Sequence, residues 1–473
     1  MSTFRITTNG MFRNYRSHLY KNNVKLNNAM TSVQTQRVFN TYAEDPASAS
    51  RAWRLRRAYW RTGDQIDNNN YAISKFESAY SAMAAIVDGD SEHPGLDGLI
   101  ASIEGVSDTS GAARVALGRQ LMSTSESIVS MMNSKYGDDY IFAGADGANM
   151  PFEWDGDKLL YRGIDVNLEK PSLPASFGFT DSVMEEYGLT SKTLASYDAS
   201  AGKLDIEDAA IEKPLTLEEF KESAYYDANS ADSEDVQYQD YKTAYVDRNK
   251  NSGDGIIKLK ETDVDDAFKE ATGLYNKLST FQAYAMTYTA TNGVSSYAEG
   301  VKQYEKLESM ANEATYLDIG LGLKEDETGE FVLGSAFNSA ISGLDFLGFG
   351  KDQNLGVLVR ELGNIFLSAD PETGNFTSQE DENRASELLD LIHNSVRSAQ
   401  GRHVQLSADA NYLKTNIQQL ETSKYQLNEQ IMDTESMDAA EAITEMTWAQ
   451  YCYNAALRIG TNLLSQSLID YMS

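Results

Sequence analysis

A 3-4 repeat of apolar residues near the C-terminus limits the fold more than any other feature of this chain. Stepping from Leu389 selects Leu389, Ile392, Val396, Ala399, His403, Leu406, Ala410, Leu413, Ile417, Leu420, Lys424, Leu427 and Ile431. Eleven of these thirteen positions are apolar, and Gly401 is the only helix-weakening residue among them or between them. Such a seam requires one unbroken helix whose apolar stripe is covered by a partner helix. At 1.5 Å per residue the rod is roughly 60 Å long, which is unusual for a globular helix.

A shorter seam opens the chain, through Phe12, Tyr15, Leu19, Asn22, Leu26, Ala29 and Val33. Its polar Asn22 is the kind of residue that sets register or partner number at some cost in stability. This helix is predicted to end between Thr41 and Pro46, because a proline disfavours helix at the residue before it. Asp45-Pro46 then starts a second helix, through Ala49, Trp53, Leu55 and Ala58 toward Ile86, which the Gly/Pro cluster at 88–95 breaks. A third helix is predicted over 112–135. A last one, over 437–471, carries Ile443, Met446, Tyr453, Leu457, Leu464, Leu468 and Tyr471. Residues 1–70 hold eleven Lys/Arg and four Asp/Glu, a net of +7, whereas 380–473 hold six and fourteen, a net of −8. These opposed signs fit pairing of the two ends within one molecule or between neighbours, with the rod at 389–431 the expected partner of the N-terminal seam.

Between the helical ends the pattern changes. Residues 140–144 read as a short strand or turn, and 152–161 as a hairpin turning at Asp155-Gly156. The stretch from about 170 to 310 is acidic, rich in Tyr and Ser, and irregular in period; it is expected to form a separate α+β domain. A further strand-turn-strand is predicted over 321–333, with Thr328-Gly329 at the turn. The expected fold is mainly α with an α+β head: long N- and C-terminal helices pair as a coiled-coil-like rod around a β-containing middle domain. The expected divisions are 1–45, a terminal assembly helix; 46–165, the first half of the rod with the hairpin; 166–375, the middle domain; 376–434, the long C-terminal helix; and 435–473, a second terminal assembly helix.

The formal net charge of −31 argues against nucleic-acid binding, which needs a basic face. No run of 18 apolar residues is present, so no membrane-spanning helix is expected. The first residues lack the basic and apolar segments of a cleaved secretory signal. Cys452 is the single cysteine, which excludes an intramolecular disulfide and fits an inert thiol in a helix.

Little in the chain points to catalysis or a cofactor. His18, His93, His393 and His403 form no metal-binding pair, and His403 falls on the seam as a packing residue. Gly348-Phe349-Gly350 lacks the third glycine of a dinucleotide loop and reads as a turn. One acidic segment has the flavour of a calcium loop, with Asp247, Asn249, Asn251, Asp254 and Glu261 as candidate ligands. Placing Gly255 at the sixth loop position puts Glu261 at the twelfth but Lys250 at the first, where no ligand would be supplied. A solvated turn is the plainer reading.

Several short blocks resemble a known family. Residues 33–52, VQTQRVFNTYAEDPASASRA, resemble the flagellin-family segment that joins two N-terminal helices. The blocks YGDDYIFAG at 136–144, Pro151-Phe152 and Tyr161-Arg162-Gly163 resemble the hook-associated protein 3 branch of that family, as do 437–442 and 463–472. Residues 317–322 and 335–338 resemble a head segment of some of its members.

The resemblance implies a non-enzymatic structural subunit that joins flagellar hook to filament. Subunits would form a ring, contact hook-associated protein 1 and flagellin, and use an export chaperone. Export would proceed through the flagellar type III route, without a cleaved signal, to the cell exterior. The assembly residues it implies are Phe12, Tyr15, Leu19, Leu26, Val33, the seam from Leu389 to Ile431, Leu457, Leu464 and Leu468. A flagellin-type filament subunit, or a surface protein whose middle domain binds a ligand, stands as the alternative.

Overall fold

The structure, a computed structural model, describes residues 8–89, 95–105, 111–187, 213–251, 259, 261–329, 332 and 334–472. In chain order its helices are α1 (Thr8–Thr35), α2 (Pro46–Val87), α3 (Leu96–Gly105), α4 (Gly111–Met132), α5 (Asp181–Tyr187), α6 (Leu217–Lys221) and α7 (Glu234–Asn251). They continue as α8 (Val264–Asn292), α9 (Tyr297–Ala311), α10 (Gly343–Leu347), α11 (Leu355–Ser368), α12 (Gln379–Glu435) and α13 (Ala439–Met472). The strands are short: β1 (Lys135–Tyr136), β2 (Asp139–Tyr140), β3 (Ala143–Gly144), β4 (Phe152–Asp155), β5 (Lys158–Tyr161), β6 (Ile164–Asp165), β7 (Tyr316–Leu317), β8 (Phe337–Asn338) and β9 (Ile341–Ser342). The fold is mainly α, with long terminal helices and a small β-containing middle region. The chain divides into two compact units, Met1–Ser74 with Leu317–Phe337 and Asp409–Ser473, and Lys75–Tyr316 with Asn338–Ala408.

In the first unit α2 and α12 run antiparallel. Arg56 pairs with Glu435, and the Lys424 ammonium lies 5.1 Å from the Tyr59 ring. Asn416 reaches Asn69, and Leu413 packs with Ala72 and Ile73. The segment at 317–320 enters this packing. Ile319 is fully buried with Ala72, Ile73 and Leu413, and its carbonyl accepts from Asn416 at 2.6 Å and Asn69 at 3.4 Å. The Asp318 carboxylate accepts from Arg61, Gln65 and the Gly320 amide at 3.0–3.1 Å. Gly320 has φ +95, and a Cβ there would press on Leu420. Only glycine holds that backbone conformation without strain.

Helices α1 and α13 pair within the same unit, and the chain passes between helices at a doubly bonded joint. The Val38 amide donates to the Glu435 carbonyl at 2.8 Å, and the Met437 amide donates to the Gln36 carbonyl at 2.9 Å. Gln36 turns out of α1 with φ +52. Beyond the joint each new helix begins on an aspartate cap. Asp45 accepts from the Ala47 and Ser48 amides, and Asp438 accepts from that of Ala440. The two oppositely charged ends do pair, but the N-terminal seam packs on α13 and not on the expected partner, the rod at 389–431. The paired breaks at 36–38 and 435–437 redirect both chains together, leaving α12 to α2.

The second unit holds the β elements. Strands β4, β5 and β6 form an antiparallel meander with Phe152 opposite Tyr161 and Trp154 opposite Leu159, turning at Gly156 as predicted. Asn133 fixes the first strand by exchanging two hydrogen bonds with the Phe152 backbone, at 2.8 and 3.0 Å. The Tyr161 hydroxyl donates to the Phe142 carbonyl at 3.1 Å, and burial raises its pKa. Strand β3 pairs with β9, so residues 143–144 meet 341–342 across nearly 200 positions of chain. Helices α4 and α11 approach closely because Gly118 and Gly363 face each other's backbone. Ser125 adds a hydrogen bond to the Gly356 carbonyl at 3.0 Å.

The segment at 170–310 departs from its α+β expectation: no strand forms among its described residues. Most buried aromatic residues of this segment lie on helix faces. On α8 the buried positions Ala267, Ala271, Leu274, Leu278, Phe281, Ala285 and Tyr288 step 4-3-4-3-4-3. Phe281 and Tyr288 join Phe179 and Tyr297 in one core; Phe268 joins Phe220, Tyr241 and Tyr245 in another.

Candidate assembly interface

Each N-terminal seam position of α1 faces its partner. Phe12, Tyr15, Leu19, Asn22, Leu26 and Val33 are half-buried, and Ala29 is buried. The matching stripe on α13 differs from the one predicted. The covered positions are Ala442, Met446, Ala449, Tyr453, Ala456 and Gly460, stepping 4-3-4-3-4, and most are small. Gly460 leaves the space that the Tyr15 phenol fills; a Cβ would overlap the ring. Small residues let the two backbones approach, so the large side chains of α13 turn outward. Ile443, Trp448, Tyr451, Leu457 and Ile459 are all exposed, Trp448 and Tyr451 by two thirds, and these two rings stack on one another. On α1 Met11, Tyr20, Val24 and Met30 are exposed as well. Large apolar side chains left exposed in this number, with Trp448 and Tyr451 side by side, mark an interaction site.

A groove of about 400 Å³ runs between the two helices, lined in part by Asn22, Lys25, Ser32, Glu445, Trp448 and Cys452. Asn22 thus lines a groove in the seam. The predicted contact residue Leu457 is exposed, while for Leu464 and Leu468 the helical backbone alone belongs to the described residues.

The α12 seam is filled inside the chain. Ile392, Val396, Leu413 and Leu420 are buried, while Leu389, Leu406, Ile417, Leu427 and Ile431 are half-buried. His403 is buried at its seam position and stacks on Tyr80, with ring centroids 3.8 Å apart. These residues hold one subunit together, and the open apolar surface lies on α1 and α13.

Of the calcium-loop candidates, Asp247, Asn249 and Asn251 fall in the last turns of α7, and Glu261 precedes α8. Asp254 lies outside the described residues. Among the described residues no group of three His, Cys, Asp or Glu is placed to hold a metal, and no helix is long and apolar enough to cross a membrane.

Residues 6–89 match the family described as the bacterial flagellin N-terminal helical region. Over these residues the chain is similar to the N-terminal helical region of flagellins. This region spans α1, the joint and α2, the elements that carry the open seam and its partner surfaces. The match supports a flagellar structural subunit; flagellins are a structural, non-enzymatic family whose members are exported to the cell exterior and self-assemble into flagellar polymers. A comparison with curated proteins returned no match.

Proposed function

We propose that this protein is a subunit of the hook–filament junction, built into an axial ring through α1 and α13. The observation that carries self-assembly is the outward apolar face of α13, where Trp448, Tyr451 and Ile459 stand exposed on a helix whose inner stripe is already filled. Burying a large apolar side chain contributes about 1.5–3 kcal/mol, so a handful at each contact is enough to drive association. Residues 1–45 and 435–473 are the assembly segments; 46–165 and 376–434 form the helical body; 166–375 face outward.

The junction, rather than the filament, is favoured by the block around Phe142, Pro151 and Tyr161, which resembles the hook-associated protein 3 branch. Phe142, Phe152 and Tyr161 are fully buried together, and a Cβ on Gly343 would strike Phe152. The block is therefore a unit of packing and not a surface coincidence. The partners proposed with it are further copies of this chain, hook-associated protein 1, flagellin and an export chaperone. Immunogold electron microscopy of purified hook–basal bodies with attached filaments tests this reading. Label confined to the distal end of the hook supports it, and label along the filament replaces it with a flagellin-type subunit.

A further inference from the structure

Helices α2 and α12 pack on each other and also hold a short piece of chain that belongs to neither. Five polar side chains, Arg61, Gln65, Asn68 and Asn69 of α2 and Asn416 of α12, converge on the segment at 318–319. The Asn68 amide donates to the Asp318 carbonyl at 3.0 Å. The Asn416 and Asn69 amides donate to the next carbonyl, that of Ile319, at 2.6 and 3.4 Å. Arg61 and Gln65 each donate to a different carboxylate oxygen of Asp318, both at 3.0 Å. The Ile319 side chain is fully buried against Ala72, Ile73 and Leu413.

Two consecutive carbonyls, a carboxylate and an apolar side chain are thus read separately. Peptide-recognition sites bind extended chain in this way, with main-chain hydrogen bonds for affinity and pockets for specificity. Gly320 adds a steric condition, since a Cβ there would lie 2.7 Å from Leu420 and 3.3 Å from Gln65. The donors are set in advance. Asn69 is fully buried, and Gln65 and Asn416 are 9% exposed. Asn416 gives one hydrogen to the Asn69 oxygen at 3.1 Å, and Asn69 gives one to the Gln65 carbonyl at 2.7 Å, which leaves the second hydrogen of each for Ile319. Buried donors without an acceptor cost stability, so the helix pair is satisfied only with chain seated on it. On either side of the seated residues the chain is exposed, Tyr316 by 44% and Leu321 by 38%.

We infer that the α2–α12 pair is a peptide-recognition site and that residues 317–320 are its resident ligand, an insert that a separate chain of the same sequence can replace. The ligand class is an extended segment with an acid, a branched apolar residue and a glycine in succession. The site uses no residue of α1 or α13, so it stands whether or not the assembly proposed for those helices does. In the parent chain the tethered segment wins, because linkage supplies an effective concentration on the order of millimolar.

The test uses the full chain and a synthetic peptide of residues 315–322. Ile319→Ser vacates the apolar hole, and Asp318→Ala removes the carboxylate; both should melt earlier than the parent. Ile319 is a core side chain, so Asp318→Ala, at a half-buried position, carries the test if the first variant does not fold. A ligand of the folded form raises its melting temperature by mass action, so roughly millimolar peptide should restore about half or more of each loss and leave the parent unchanged. The peptide carrying Gly320→Ala should restore nothing, and the parent peptide should not rescue Asp318→Ala combined with Arg61→Glu. No rescue of a folded variant by the parent peptide, or equal rescue by the Gly320→Ala peptide, overturns the recognition site. Loss of the folded state in both variants overturns it as well, since the segment is then core and not ligand.

Discussion

Gly460 shows how one residue sets a helix–helix distance. It is buried on α13, and the Tyr15 ring occupies the place of its missing side chain. Alanine is better than glycine within a helix by about 1 kcal/mol, so Gly460→Ala should stabilise α13 alone. In the intact chain it should instead lower the melting temperature, because the new methyl displaces Tyr15. In a Tyr15→Ala background the same change should stabilise, and thermal denaturation of the four proteins of this cycle checks the reversal of sign. Asp318 sets a pH dependence at the same scale. Partial burial works against its carboxylate, but the Gly320 amide, Arg61 and Gln65 outweigh it and hold its pKa below the usual value. A depressed folded pKa contributes stability above the unfolded pKa of about 4 and loses it as pH falls through the folded value. Asp318→Asn should therefore be less stable than the parent at neutral pH, with the difference closing below about pH 4. A difference unchanged by acid would exclude the ionised form as the source. The role of Asp318 was not legible in the sequence, since its partners Arg61 and Gln65 lie some 250 residues away.

At the scale of elements, two kinds of apolar residue have to be separated. Leu413 is fully buried between α12 and α2, so Leu413→Asp puts an unpaired charge in the core and should cost several kcal/mol, read as lost helicity or an early melt. Trp448 and Ile459 are exposed, so Trp448→Glu with Ile459→Glu should leave the melt unchanged and abolish self-association. Loss of both properties in both variants would show that the two surfaces are not distinct. Strong periodicity made α12 readable from sequence: the seam from Leu389 to Ile431 lies on covered positions throughout. On α13 periodicity picked out Met446 and Tyr453, which are covered, together with Ile443 and Leu457, which are exposed, and passed over Ala442, Ala449, Ala456 and Gly460 of the covered stripe. Small residues pack by allowing approach, which a search for large apolar side chains overlooks. The same limit hid α8, whose 4-3 stripe contains three alanines and was masked by surrounding acid and tyrosine.

For the whole molecule, burial is unequal in a way that matches its proposed use. Among the described residues of α1 and α13 only Ala29, Ser32, Ala442 and Gly460 are buried, whereas α12 buries seven of its ten seam positions from Leu389 to Leu420. Local stability follows buried contacts, so the terminal pair should open more readily than the α2–α12 pair while the subunit is alone. Assembly supplies the missing contacts. The sequence blocks that resemble a flagellar family point to the same ends of the chain, and the match over 6–89 covers one of them. What short blocks could not reveal was the order of partners, with α1 on α13 and α12 on α2, because that order depends on hydrogen bonds between 36–38 and 435–437. Amide hydrogen exchange on the purified monomer and on assembled particles tests the account most directly. It predicts fast exchange in Thr8–Thr35 and Ala439–Met472 of the monomer and the largest gain in protection there on assembly. Protection already complete in the monomer, or a gain confined to residues 213–311, would contradict it.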